Sequence, residues 1–219
     1  MTSQAMKTTM KLVAGALLAA GFLSASPAQA NGATYDFGDA PDTYATLLTS
    51  NGARHAGSGL YLGTLFDAEA DGQPTANASG DDVAGSDDED GILFISAIVA
   101  GQSAVLNASA TGSGWLNAWI DFNRDGAWSQ NEQILADLAV VGGVNTASFA
   151  VPLAATPGDS FARFRLASQT GLSVAGEATD GEVEDYRIEI QVAQAPEPGT
   201  LALLGLGLAG LANARRRKR

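Results

Sequence analysis

The chain has no cysteine and only one histidine, His55. No lysine occurs between Lys11 and Lys218. Without cysteine there is no disulfide framework, so an exported form must be held by its core, by ion pairs or by a metal. Zinc bound by thiolates and imidazoles is excluded, and so is cysteine-dependent catalysis. A Ser–His–Asp hydrolase would have to be built on His55, and no G-x-S-x-G elbow is present. Positive charge is scarce too. Residues 31–195 hold five arginines, Arg54, Arg124, Arg163, Arg165 and Arg187, against 23 carboxylates, a formal −18 compared with −12 for the whole chain. Such a surface repels nucleic acid and anionic membranes, attracts cations, and strains the folded state by self-repulsion.

Both ends carry targeting signals. Lys7 and Lys11 precede a short apolar run, LVAGALLAAGFL (12–23), which ends in Ala28-Gln29-Ala30. That is the pattern of a secretory signal peptide over 1–30, cut by signal peptidase after Ala30. At the other end, Pro196-Glu197-Pro198 leads into an apolar run over 201–212 and a basic cluster over 215–219. The apolar run is short for a membrane span, which needs about 20 residues, and its arginines would stay cytoplasmic. Gly205, Gly207 and Gly210 spell G-x-G-x-x-G, but no strand precedes them and the chain ends too soon for a dinucleotide fold. These three parts resemble the PEP-CTERM sorting signal of Gram-negative bacteria. The resemblance implies recognition by an exosortase, transient anchoring in the inner membrane through the C-terminal hydrophobic helix, and delivery to the cell envelope or the exterior.

Between the ends, four parts are expected: the signal peptide (1–30), an acidic loop-rich segment (31–91), a β core (92–192) and the sorting segment (193–219). GILFISAIV (91–99), SAVLNASAT (103–111), WLNAWIDF (115–122), TASFAVPL (146–153), FARFRLAS (161–168) and VEDYRIEIQV (183–192) read as strands parted by Gly, Pro and Asp clusters. Residues 133–141 fit a strand or a helical turn. In the N-terminal part only LYLGTLF (60–66) reads as a strand. The fold class is all-β, an antiparallel β-sandwich of jelly-roll or immunoglobulin-like type.

The sharpest chemical signal is DFNRDGAWSQNE, 121–132. Asp121, Asn123 and Asp125 stand at alternate positions, Gly126 allows the turn, and Glu132 closes the pattern of a calcium loop. Ala127 would offer its carbonyl and Ser129 its hydroxyl or a bridging water. The same residues also make a good polar turn with no metal. Asp87, Asp88 and Asp90 form a second candidate cation site, or a solvated acidic loop. Glu182 and Glu184 share one face of an extended strand and Asp185 takes the other. Arg163 and Arg165 share a face of a second strand, which points to an arginine–carboxylate network.

YDFGDAPDTY, NGARH, LYLG, DAEADGQP, DDEDG, LNAWIDFNRDGAW, ARFRLA and DGEVEDY follow one another over 35–192. Together they resemble the GEVED domain, named for the motif that stands here at 181–185. The resemblance implies a β-rich module of exported surface or matrix proteins, with no established catalysis. The expected function is a non-enzymatic cell-surface or extracellular-matrix module, stabilised by Ca²⁺ and in contact with extracellular polysaccharide or other surface proteins. The alternative is a carbohydrate-binding module using Trp115, Trp119, Trp128, Tyr35, Tyr44 and Tyr61. A glycoside hydrolase is a remote third, since paired carboxylates are too abundant to single one out.

Overall fold

The structure, a computed structural model of the whole chain, describes residues 35–80 and 89–193. The expected signal peptide with Ala28 and Ala30, and the sorting residues Pro196, Glu197 and Pro198, lie outside the described residues.

Eleven strands are described: β1 (Tyr35–Phe37), β2 (Arg54–Ala56), β3 (Ile92–Phe94), β4 (Ile98–Val99), β5 (Ser103–Ala110), β6 (Gly114–Ile120), β7 (Gln133–Val140), β8 (Gly143–Ala150), β9 (Gly158–Ala167), β10 (Glu177–Ala178) and β11 (Glu182–Gln191). They form a five-stranded sheet in the order β4-β11-β9-β6-β7, a three-stranded sheet β3-β5-β8, and a small sheet β1-β2-β10. The chain is thus mostly β, as its alternating runs predict.

Three expectations need correction. The sheets are not purely antiparallel, because β4 joins β11 and β10 joins β2 in parallel. Residues 91–99 are not one strand. The N–H groups of Ile95 and Ser96 both donate to the Val105 carbonyl, and the Ser96 hydroxyl accepts the Val105 N–H at 2.9 Å. This local knot turns the chain out of one sheet, so that Ile92 pairs in the three-stranded sheet and Ile98 in the five-stranded one. LYLGTLF contributes a single bridge, Leu62 to Ala110, rather than a strand. The ambiguous 133–141 resolves as the strand β7.

The two larger sheets share one apolar core. Leu106 and Phe149 from the three-stranded sheet are buried with Leu116, Phe164, Leu166 and Ile190 from the five-stranded one. Strand alternation puts their neighbours on the opposite face of the five-stranded sheet. That second face carries Trp119, Arg163, Arg165, Val183 and Asp185, and it too is buried. Its cover comes from residues 35–56 and the 173–176 loop, whose carbonyls and side chains meet the two arginines. The loop-rich segment is therefore a wrapping layer, and it includes two strands that its Gly- and Asp-rich composition hides.

Charge is divided sharply among these layers. No ionisable residue occurs in 91–120 or in 138–158. The three-stranded sheet lies wholly within these stretches and carries no charge at all.

Candidate functional site

Two neighbouring zones on the five-stranded sheet hold the residues singled out by the sequence. The first is the connection between β6 and β7. Asp121 leaves the sheet buried, and its carboxylate turns back under the loop. Its Oδ1 accepts the N–H groups of Arg124 at 2.5 Å and Asp125 at 3.3 Å. Its Oδ2 accepts the Gly126 N–H at 3.0 Å and the Tyr44 hydroxyl at 2.7 Å. Arg124 and Gly126 have φ of 61° and 85°, the left-handed turns that aim those N–H groups at one carboxylate. Burial, then the bond to Asp121 and its charge, push the Tyr44 hydroxyl well above its usual pKa.

Glu132, also buried, closes the loop from the other side. Its Oε1 accepts the N–H groups of Phe122 at 2.9 Å and Asn123 at 3.2 Å. Its Oε2 accepts both the N–H and the hydroxyl of Ser129 at 2.9 Å, a capping box on the 3₁₀ turn Gln130–Glu132. The exposed tip is self-contained as well. Asn123 Nδ2 donates to Asp125 Oδ2, and the Ala127 N–H donates to Asp125 Oδ1.

A carboxylate offers about four lone-pair sites, and Asp121 and Glu132 each accept four donors. Of the six expected calcium ligands, Asp121 and Glu132 thus lie beneath the loop, engaged by its backbone. Asn123, Asp125, Ala127 and Ser129 are exposed. No group of three or more acidic or histidine side chains is gathered as a metal site among the described residues. At the second expected site, Asp90 binds the Thr64 N–H at 2.9 Å and the Thr64 hydroxyl at 2.5 Å. Asp87 and Asp88 lie outside the described residues.

Trp128, at the loop's eighth position, packs it against the sheet. Its ring lies 4.4 Å from Tyr44, with the Arg163 guanidinium 4.5 Å from the ring centre. Its N–H donates to the Phe161 carbonyl at 3.2 Å.

The second zone is the start of β11. Glu182, Glu184 and Asp185 are all buried, and each holds a different part of the chain. Glu182 accepts the Leu62 N–H. Glu184 accepts the Gly91 N–H at 2.8 Å and the Tyr186 hydroxyl at 3.0 Å. Asp185 takes a two-pronged grip from Arg163, at 2.7 and 2.6 Å, and accepts the Ala40 N–H at 3.0 Å. In return, Asp36 accepts the Val183 N–H at 2.5 Å. Gly38 leaves room for this grip, because a Cβ there would stand 2.3 Å from Asp185 Oδ2. Gly91 does the same for Glu184, at 2.9 Å.

Arg165 departs from the expected network. Its register partner on β11 is Val183, not a carboxylate. It donates instead to His55 Nε2 at 2.9 Å and to the carbonyls of Ser173, Ala175 and Gly176. His55 Nδ1 lies 2.7 Å from the Asp180 carbonyl. Nε2 accepts, so the proton sits on Nδ1 and the ring is neutral. Burial first, and the Arg165 charge second, hold its pKa well below 6.5. Burial also brings Arg165 down to about 9, still charged at neutral pH. The sequence reading missed His55 as a partner. Its place in NGARH, three residues after the turn at Asn51-Gly52, was the available signal.

The strands that present both zones, β6 to β11, coincide with residues 115–189, which match the GEVED domain. Those residues carry a GEVED domain. Residues 194–218 match the PEP-CTERM protein-sorting motif, which marks the chain for export through the membrane and processing by exosortase. No curated protein matches the chain. The GEVED match begins at β6, whereas the residues its motif grips (Asp36, Ala40, Leu62 and Gly91) all lie upstream.

Proposed function

We propose that this exported surface protein is a non-enzymatic module of the cell surface or extracellular matrix, associated with exopolysaccharide, whose GEVED motif acts as an internal fastener. The observation that carries this reading is the burial of Glu182, Glu184 and Asp185, each engaged by backbone N–H or by Arg163 rather than facing solvent. Acids engaged in this way hold structure; they are poorly placed to meet a substrate. The two larger sheets are read here as the halves of a sandwich. Calcium enters this reading as a supplement drawn by the −18 charge, since a cation at 121–132 would have to displace hydrogen bonds that already satisfy Asp121 and Glu132.

The test is fractionation of the native producer with antiserum to the mature chain, together with assay of its exopolysaccharide for released reducing ends. Co-fractionation with the matrix and no release support the reading. A soluble periplasmic location, or sugar release lost in Glu182→Gln, overturns it.

A carbohydrate-binding role has one observation in its favour. A cavity of about 300 Å³ beside the loop is lined by Trp119, Trp128, Ser129, Gln130, Gln133 and Ser173, among others. Amide and hydroxyl groups around indole edges suit a neutral sugar. Both indoles are nevertheless buried in the aromatic cluster with Tyr44, so a stacking platform on the surface is not the form it would take. Titration of intrinsic fluorescence with soluble exopolysaccharide fragments separates the two roles.

A further inference from the structure

Among the described residues, the charge-free sheet ends in a strand with none of the usual protections of an edge. β8 pairs with β5 alone among the described residues. Its register with β5 is unbroken from Gly143 to Ala150, so no bulge twists the edge away. Its eight residues, GVNTASFA, include no proline and no charge. Exposed edges in soluble proteins are normally blunted by such devices, because a row of free N–H and C=O groups is a template for another strand. The outward residues Val144, Thr146, Ser148 and Ala150 are exposed, and Val144 keeps 66% of its surface. They continue across Val105 and Asn107 to Leu93, which keeps 62%. Asn145 fixes where the edge begins, by donating to the carbonyls of Val141 and Gly143.

We propose that β8 is the docking edge for a second copy of this chain, pairing antiparallel with the same strand of its partner. Charge decides between occupants. A cationic partner would be drawn to the acidic remainder of the body, and a neutral one would have no reason to prefer this edge. A partner with the same negative charge can approach only where carboxylates are absent. The chain itself is such a partner, at a formal −18 over 31–195, and β8 lies within the charge-free stretch 138–158. Antiparallel pairing of identical strands is two-fold symmetric, so it closes at a dimer and merges the two three-stranded sheets into one of six strands. In a nearly full two-fold overlap Ser148 faces Thr146 of the second copy and lies diagonal to its own equivalent, about 7–8 Å away, so a charge placed there in each copy still meets a like charge across the seam.

The test is sedimentation of the full chain in mild detergent over a range of concentration and salt, alongside Ser148→Glu and Leu48→Glu. Leu48 is exposed on the wrapping segment and serves as the control for added charge. The expected result is a reversible dimer that salt strengthens by screening repulsion. Ser148→Glu should weaken it by about tenfold or more, while Leu48→Glu leaves it unchanged. Hydrogen exchange on the wild type, compared at low and high concentration, should slow the amides of 143–150 on concentrating. A monomer under every condition overturns the proposal, as does a dimer that a folded Ser148→Glu leaves intact. Concentration-dependent protection that spares 143–150 overturns it as well, and that readout decides the matter should Ser148→Glu fail to fold.

Discussion

The two larger sheets share one core but are held together by different physics. The three-stranded sheet has no ionisable group, and what fixes it is the apolar side chains of β5 and β8 with an unbroken ladder between them. The five-stranded sheet uses the same apolar core on one face. On the other it buries two arginines, a neutral histidine that accepts from Arg165, and Asp185, which pairs with Arg163. An apolar sheet tolerates imprecision, since burial is non-directional. A buried ionic layer does not, because every donor and acceptor taken from water must find a partner of the right geometry. The N-terminal segment has little apolar surface of its own, and the ionic layer is what gives it a place.

The sharpest way to break this contrast is at the Arg163–Asp185 pair, where both side chains are fully buried. Asp185→Ala leaves Arg163 unmatched in the interior and should cost about 3–5 kcal/mol in urea unfolding. Replacing both at once with apolar residues should cost far less, since no lone charge is left behind. On the apolar side, Leu106→Ala should cost about 2–5 kcal/mol by opening a cavity. Its cost should be the same at pH 5 and pH 8, unlike losses in the ionic layer. Glu184→Ala strips the partner from the buried Gly91 N–H and should cost about 1–3 kcal/mol. Limited proteolysis should show the added cleavage near 89–91, while 143–150 stays protected.

Acid should separate the sheets in a further way. His55 is held neutral in the fold, with a pKa below its ordinary 6.5. The unfolded chain therefore binds a proton that the folded chain refuses. Stability contributed by neutral His55 is complete above about pH 6.5 and falls as the pH drops below it. His55→Gln, which keeps an acceptor for Arg165, should flatten that slope in melts between pH 7 and 5. The smallest effect belongs to the exposed pair Arg187–Asp159, where Arg187→Ala should change stability by about 1 kcal/mol or less.

Much of the apolar half was legible from residue order alone, because a period of two survives wherever burial is one-sided. FARFRLAS and VEDYRIEIQV alternate cleanly, and their faces fall where the alternation puts them. The spelling of 121–132 was legible as a loop. Its hydrogen bonds were not, since ligand spacing cannot distinguish a carboxylate aimed at an ion from one aimed at its own backbone. The pairing of Arg165 with His55 joins residues 110 apart, and no local pattern encodes it. β1 and β2 escaped notice because three-residue strands in a polar segment carry no periodic signal, and their position depends on what they cover.

The motif's position along the chain has a consequence for timing. Its acids grip N–H groups 93, 120 and 145 residues upstream, at Gly91, Leu62 and Ala40. The β3-β5-β8 and β6-β7-β9 pairings can form before β11 is made, but those three bonds cannot, so the wrapping segment has to wait for the last strand to take them up. Contacts this distant in sequence form slowly and late. The last strand therefore works as a latch: it completes the fold by fastening the N-terminal segment onto a body whose other strands already have partners.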